Sequence, residues 1–184
     1  MQLTLSSESI RNAVFTNESG QVLYKTTHPY HIVMAKTTIY KIKPNDDPMD
    51  MRDQFDVIGE IKWHAKGSPT FRLDGQEMQF SEFLRPHGIL GRKHTFTGPD
   101  GCPYRWDMPS ETVVVRMPTH SYFLQLSRDD KSRAKLVRYH KGSLGIIGPK
   151  RKPRLDVDPA VEHMLDLIVL TFVYVEKVRR DKDD

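Results

Sequence analysis

The last 27 residues of the chain constrain its fold more than any other stretch. Residues 158–178 read DPAVEHMLDLIVLTFVYVEKV, and the fully charged run RRDKDD follows. Asp158 suits the N-cap of a helix and Pro159 suits its first turn, while Arg179 and Arg180 are placed just past its last turn. The side chains between are almost all apolar. A helix without a polar face must be surrounded on every side.

The surroundings of this helix are predicted to be the protein's own core. The apolar run from Met164 to Val175 contains Asp166, and it is shorter than the roughly 20 apolar residues that cross a bilayer. A buried strand is the alternative, because β-branched residues such as Ile168 and Val173 favour strands. The N-terminal cap and the length of the run favour the helix.

Before Asp158 the chain alternates between apolar and polar residues in many short runs. The clearest run spans residues 55–63, and similar runs occur near residues 22–24, 38–42, 71–73, 78–80, 104–108, 113–117, 122–126 and 136–138. Turn dipeptides such as Asp74-Gly75 and Asp100-Gly101 separate them. Short strands with frequent turns indicate a sandwich or a barrel.

The two parts of the chain complement each other, because a β-rich shell needs an apolar filling. We therefore predict a mainly β fold: a closed antiparallel β-barrel enclosing a hydrophobic C-terminal α-helix. Closure also removes the sheet edges that would otherwise promote aggregation. With 184 residues, the chain is expected to form a single domain over residues 1–180, followed by a charged tail at 181–184.

The composition favours a soluble protein in a reducing compartment. Cys102 is the single cysteine, so neither an intrachain disulfide nor a cysteine-based zinc site is expected. The mean hydropathy is −0.57, and the N-terminus has no secretory signal pattern. A cytoplasmic location is expected, with membrane-peripheral and nuclear locations as alternatives.

Several short motifs resemble one known superfamily. They are a strand that ends in tryptophan, a D-G-x-x-Y-x-W hairpin preceded by an aromatic residue, and the closing apolar helix: Ile61-Lys62-Trp63, Phe96, Asp100-Gly101-Cys102-Pro103-Tyr104-Arg105-Trp106 and Tyr174-Val175-Glu176. Over residues 4–180 the chain resembles an uncharacterised group of fungal domains in the tubby-like superfamily, which includes LURP-one-related proteins and phospholipid scramblases. The resemblance implies the tubby-like barrel. No scramblase-type calcium loop and no tubby-type phosphoinositide-binding residue can be carried over to this chain.

Positive charge is concentrated in one segment of the sequence. Residues 128–154 contain ten Lys or Arg against two Asp, a net +8, so a total of +4 leaves −4 for the rest of the chain. Such a segment indicates a local contact with an anionic partner. The candidate ligand-binding residues are Arg128, Lys131, Arg133, Lys135, Arg138, Lys141, Lys150, Arg151, Lys152 and Arg154.

The leading functional hypothesis is a non-enzymatic module that binds anionic phospholipid or phosphoinositide headgroups through this segment. Nucleic acid is a less favoured partner, because aromatic and basic residues are not clustered as in RNA-binding motifs. A solvated surface that offsets acidic patches is the simpler interpretation of the same charges. A protein-interaction or regulatory domain is the alternative function.

Catalytic motifs are not evident, and neither a cofactor nor a metal is predicted. Residues His28 and His31 have a spacing that could bind metal on a helix, but Pro29 disfavours a helix there. His163 and Asp166 are predicted to form a hydrogen-bonded pair in the barrel mouth. An enzyme is the third class of function, and it would require these residues or Cys102 to line one pocket.

Overall fold

The computed structural model describes residues 1–29, 35–44, 52–73, 75–88, 91–108, 124–143 and 149–183. Within these residues the chain is mainly β, as the alternating runs predict. The first seven strands are β1 (Gln2–Leu5), β2 (Val14–Thr16), β3 (Val22–Thr27), β4 (Ala35–Ile42), β5 (Phe55–Trp63), β6 (Thr70–Leu73) and β7 (Gln76–Gln79). The next six are β8 (Arg85–His87), β9 (Lys93–Thr97), β10 (Pro103–Asp107), β11 (Gln125–Arg128), β12 (Lys135–His140) and β13 (Arg154–Val157). The helices are α1 (Phe80–Phe83), a 3-10 helix (Pro159–Met164) and α2 (Leu165–Asp183).

The strands form one antiparallel sheet composed of two meanders. The first meander is β1–β7 and the second is β8–β13, and each strand pairs with its neighbours in sequence. The two are joined where β1 pairs with β13, with Leu3 opposite Leu155. The first strand of the chain is therefore held by the last one, which leads directly into the 3-10 helix and α2.

The predicted closure of the sheet into a barrel is not shown. Among the described strands, no hydrogen-bonded ladder joins the edge strands β7 and β8. The short helix α1 follows β7 and precedes β8, and its aromatic side chains contact both meanders. Phe80 lies 4.4 Å from Phe71 of β6, and Phe83 lies 5.6 Å from Phe96 of β9, between ring centroids. Aromatic packing connects the two meanders at this seam.

The sheet wraps around α2. The ring of Phe172 lies 6.4 Å from Phe15 of β2 and 4.9 Å from Tyr139 of β12. The indole nitrogen of Trp106 on β10 donates to the Thr171 hydroxyl at 3.1 Å. All ten side chains from Leu167 to Glu176 are buried. The prediction of a terminal helix surrounded by the protein's own core is confirmed.

The boundaries of the helix differ from those predicted. The Asp158 carboxylate accepts the Ala160 amide at 2.9 Å, as an N-cap does, but the first six residues form a 3-10 helix. Helix α2 then continues through Asp183, so the prediction that Arg179 and Arg180 lie beyond its last turn is wrong. No helix in the described part of the chain has the length and apolarity needed to cross a membrane.

A buried carboxylate accounts for the longer helix. Glu176 is 0% exposed, and it accepts two bonds from Arg179, at 2.6 and 3.0 Å, and one from Arg180, at 2.8 Å. Arg179 also pairs with Asp183 at 2.9 Å, and Arg92 binds the same carboxylate at 2.9 Å. These pairs bring the charged end of the chain back onto the sheet. Removing one partner from such a buried network typically costs about 3–5 kcal/mol.

Most of the remaining strand predictions are confirmed where the structure describes them, although Met108 and Leu124 lie just outside β10 and β11. The run at residues 78–80 is shorter than predicted, because Phe80 begins α1 rather than continuing β7. The run at 113–117 lies outside the described residues, as do Tyr122, Asp74 and most of a polar stretch at 43–52.

His94 is a buried titratable group that the sequence does not single out. It is 3% exposed, and its Nδ1 atom has no hydrogen-bond partner within the described part of the chain. Burial lowers the pKa of His94 to about 4, and the positive charge of Lys182 and the proximity of His87 act in the same direction. The ring packs edge-on against Tyr174, with centroids 6.0 Å apart. His94 is therefore neutral in the folded protein near pH 7.

Helix α2 is tested by the substitution Ile168→Asp. Ile168 is 0% exposed, so the new carboxylate would be buried without a partner. We expect the free energy of unfolding to fall by about 4 kcal/mol or more, measured by urea denaturation. Val57→Asp is the matched control because Val57 is 56% exposed, and it should cost about 1 kcal/mol or less. Equal losses in the two variants would contradict the assignment.

His94 makes stability depend on pH in a defined direction. A histidine whose pKa is lowered in the folded state stabilises the protein fully above its unfolded pKa of about 6.5, and this contribution is lost as pH falls towards 4. Between pH 7 and pH 5 the loss should reach at most about 2 kcal/mol. His94→Phe should flatten this dependence, as measured by urea denaturation at each pH.

The exposed His64→Phe is the control, and it should retain the native pH dependence of His94. Burial and the charge of Arg11 also lower the pKa of His28, so part of the slope should survive in His94→Phe. A His94→Phe protein with the full native slope would show that His94 is not buried in its neutral form.

Candidate functional site

The ten predicted basic residues do not converge on one point. Strand β12 separates them into two groups, with Arg138 between. The hairpin group lies around the β11–β12 turn and consists of Arg128, Lys131, Arg133 and Lys135. The loop group lies at the other end of β12 and consists of Lys141, Lys150, Arg151, Lys152 and Arg154. At about 3.4 Å per residue, the six residues of β12 hold the groups about 17 Å apart.

Acidic neighbours offset much of the charge in the hairpin group. The Arg128 guanidinium donates to the Tyr104 hydroxyl at 2.8 Å, and it pairs with Asp100 at 3.4 Å and with Asp130 at 3.3 Å. Arg105 binds Asp129 at 2.8 Å. Lys131, Arg133 and Lys135 remain exposed. Arg128 thus has a structural role in linking the β9–β10 turn to the β11–β12 hairpin.

The hydrogen bond between Tyr104 and Asp100 shifts the pKa values of both residues. The hydroxyl of Tyr104 donates to Asp100 at 2.7 Å, and this bond is the main reason that the pKa of Asp100 falls to about 2. Burial, followed by the same bond, raises the pKa of Tyr104 to about 12. Asp100 is therefore a persistent negative charge facing Arg128, and it does not change its state near neutral pH.

Asp156 offsets basic residues on the outer face of the sheet. Its carboxylate accepts from His140 at 2.7 Å and from Gln2 at 3.0 Å, and it lies 3.4 Å from the Arg154 Nε atom. Arg138 stands directly opposite Asp156 in the β12–β13 ladder. Of the loop group, Arg154 is therefore committed to an ion pair within the sheet.

Three adjacent cations remain exposed at the end of β12. We call Lys150, Arg151 and Lys152 the loop trio. All three side chains are exposed, and none has a hydrogen-bond or ion-pair partner in the described part of the chain. The backbone beneath them is held by two hydrogen bonds between Arg151 and Ser143, at 2.8 and 3.1 Å. Residues 141–154 contain five Lys or Arg and no Asp or Glu, so the trio is the least compensated part of the basic segment.

The carboxylate of Glu8, from the loop after β1, lies beside Gly142. A Cβ atom on Gly142 would lie 2.9 Å from a carboxylate oxygen of Glu8 and 3.1 Å from the carbonyl of Arg151. A larger residue at position 142 would push the loop away from its support. Gly142 thus permits the close approach that fixes the loop trio against the sheet.

The predicted pair of His163 and Asp166 does not form. Asp166 accepts from the Tyr24 hydroxyl at 2.5 Å and from Lys41 at 2.9 Å, whereas His163 lies 4.0 Å from Asp100. Two strands thus supply partners that the local spacing does not reveal. Both residues do lie at the N-terminal end of α2, where they line a pocket of about 430 Å³. We call it the mouth pocket.

The other candidate residues are engaged in ordinary packing. The two ring nitrogens of His28 lie 3.0 Å from Thr37 and 3.0 Å from Arg11, and His31 lies outside the described residues. Cys102 follows the turn glycine Gly101, and its amide donates to Asp100 at 3.1 Å. His28 follows the last residue of β3, whereas Tyr24 lies near the start of that strand. His28 therefore does not line the mouth pocket. The described residues contain no group of three potential metal ligands.

The comparisons with known proteins give one positive result. A family of unknown function, DUF6593, matches residues 8–181 of the chain. No curated protein matches. No solved structure matches either. The matched residues run from the loop after β1 into the last turn of α2, so they include strands β2–β13 and the buried helix. The chain belongs to the DUF6593 family.

Proposed function

We propose that this protein is a non-enzymatic binding module that engages anionic lipid headgroups at a membrane surface through the loop trio. The observation that carries the proposal is the exposure of three adjacent cations, Lys150, Arg151 and Lys152, which have no acidic partner among the described residues. Phosphate-bearing headgroups offer the negative charge that these side chains lack. Two backbone hydrogen bonds between Arg151 and Ser143 anchor the trio, which limits the entropy lost on binding.

The expected strength fits a peripheral and reversible interaction. A basic residue near an anionic membrane contributes about 1 kcal/mol, so the trio alone would supply about 3 kcal/mol. Stable attachment would need a second contact, as it does for singly lipidated proteins. We therefore propose a module that samples anionic membranes and is retained where a further interaction is present.

The arrangement of the charges favours the loop trio over the hairpin group. The hairpin group lies about 17 Å away, about twice the screening length of about 8 Å at physiological salt. Acidic partners also occupy Arg128. A membrane surface in contact with the loop trio would therefore gain little binding free energy from the hairpin group.

The proposed architecture is the tubby-like barrel, in which the aromatic seam at α1 completes the shell around α2. Support comes from the wrapping of the sheet around α2 and from the contacts of Phe80 and Phe83 with both meanders. The tubby-like superfamily, which the sequence resembles, includes phospholipid scramblases. The resemblance therefore favours a lipid ligand. It is an analogy of fold, and the charged surface carries the functional argument.

The proposal is tested by neutralising the loop trio. The triple variant Lys150→Gln, Arg151→Gln and Lys152→Gln should weaken binding to liposomes that contain phosphatidylserine by about 3 kcal/mol, or about 100-fold. The matched control neutralises Lys131, Arg133 and Lys135, which carry the same total charge at the opposite end of β12. That control should weaken binding by less than about threefold, because those charges lie beyond the screening length. Co-sedimentation at several salt concentrations measures both effects.

Three outcomes would contradict the proposal. They are no binding of the native protein to anionic liposomes, an equal loss of affinity in both triple variants, and equal binding of neutral liposomes. Displacement by excess double-stranded DNA would indicate a nucleic-acid site instead. A protein that binds neither liposomes nor DNA would be better described as an interaction or regulatory domain.

A further inference from the structure

The mouth pocket is a second candidate site, at the opposite end of the molecule from the loop trio. It lies where α2 begins, near the hairpin group, since the Asp158 amide donates to Leu136 at 2.7 Å. Its volume of about 430 Å³ falls within the range of small-molecule sites. Its apolar lining comes from three strands, the β9–β10 turn and the helical segment: Leu23, Ile42, Leu73, Pro99, Met164, Leu165 and Leu167.

The polar side of the pocket is electrically balanced. Lys41 pairs with Asp166 at 2.9 Å, and the Tyr24 hydroxyl donates to the same carboxylate. Glu162 pairs with the N-terminal amine at 3.0 Å. Burial, aided by the nearby Asp166, raises the pKa of Tyr24, so this hydroxyl stays protonated. Each full charge on the pocket wall therefore already has a partner of opposite sign.

We propose that the mouth pocket binds a small uncharged amphiphile, with an apolar body and one hydroxyl or amide group. A charged ligand would leave its own charge uncompensated or break an existing pair, and both are unfavourable in a partly desolvated site. A hydroxyl has neither cost, because it can accept from the Lys41 ammonium and donate to the Asp166 carboxylate. The aliphatic walls would cover the apolar body.

The inference is tested with two fluorescent probes that share a ring system. N-phenyl-1-naphthylamine is neutral, whereas 8-anilino-1-naphthalenesulfonate carries a sulfonate. The unmodified protein should bind the neutral probe at one saturable site, and it should bind the anionic probe at least about tenfold more weakly. Absence of saturable neutral-probe binding, or equal affinity for both probes, would overturn the proposal.

Two substitutions locate the probe. Leu73→Trp fills the pocket and should weaken neutral-probe binding at least about tenfold. Glu82→Trp adds the same side chain on α1, beyond the other end of β6, and should leave the affinity unchanged. Ile42→Trp replaces Leu73→Trp if that variant does not fold, as judged by its thermal melt. Unchanged affinity in a folded pocket variant would overturn the proposal.

A third substitution tests the charge balance itself. Asp166→Asn removes the partner of Lys41 and leaves a net positive charge in the pocket. The preference for the neutral probe over the anionic one should then shrink or reverse. An unchanged preference would show that the paired charges do not select the ligand. Liposome binding should be unaffected by all these variants, which separates failure of this inference from failure of the proposed lipid function.

Discussion

Burial of an almost wholly apolar helix is the constraint on which the rest of the structure depends. Ten consecutive side chains of α2 are buried, including Thr171 and Glu176. One flat sheet could cover only one side of such a helix, so strands from both meanders must surround it. The pairing of β1 with β13 joins the meanders, and the aromatic side chains of α1 connect them again at the seam.

Because the sides of α2 are buried, the charged residues of the helix lie near its two ends. At one end, Asp166 lies in the first turn of α2 and binds Lys41 and Tyr24 beside the mouth pocket. At the other end, Glu176 is neutralised by Arg179 and Arg180. With its lateral sides occupied by the sheet, the helix exposes polar chemistry only at its ends. Both proposed sites are correspondingly found at ends of strands rather than on the face of the sheet.

The sequence predicts the elements better than it predicts their partners. Alternating runs and the apolar terminal run identify strands and helix, because these patterns reflect which side of an element is buried. Pairings between distant residues leave no such pattern. Asp166 meets Lys41 and Tyr24 from 125 and 142 positions away, so the local spacing to His163 is misleading. The basic segment is continuous in sequence, yet one strand divides it into two groups. His94 alternates in phase with Phe96, a weak signal of its burial.

Amide hydrogen exchange of α2 tests most directly the claim that the helix is the core around which the sheet is folded. If it is, the amides of residues 168–175 should exchange only through global unfolding. Their exchange free energies should then equal the free energy of unfolding measured with denaturant. Amides of β1 and β13, which join the meanders, should show comparable protection. Exchange of the α2 amides well before global unfolding, with β1 and β13 still protected, would contradict the account.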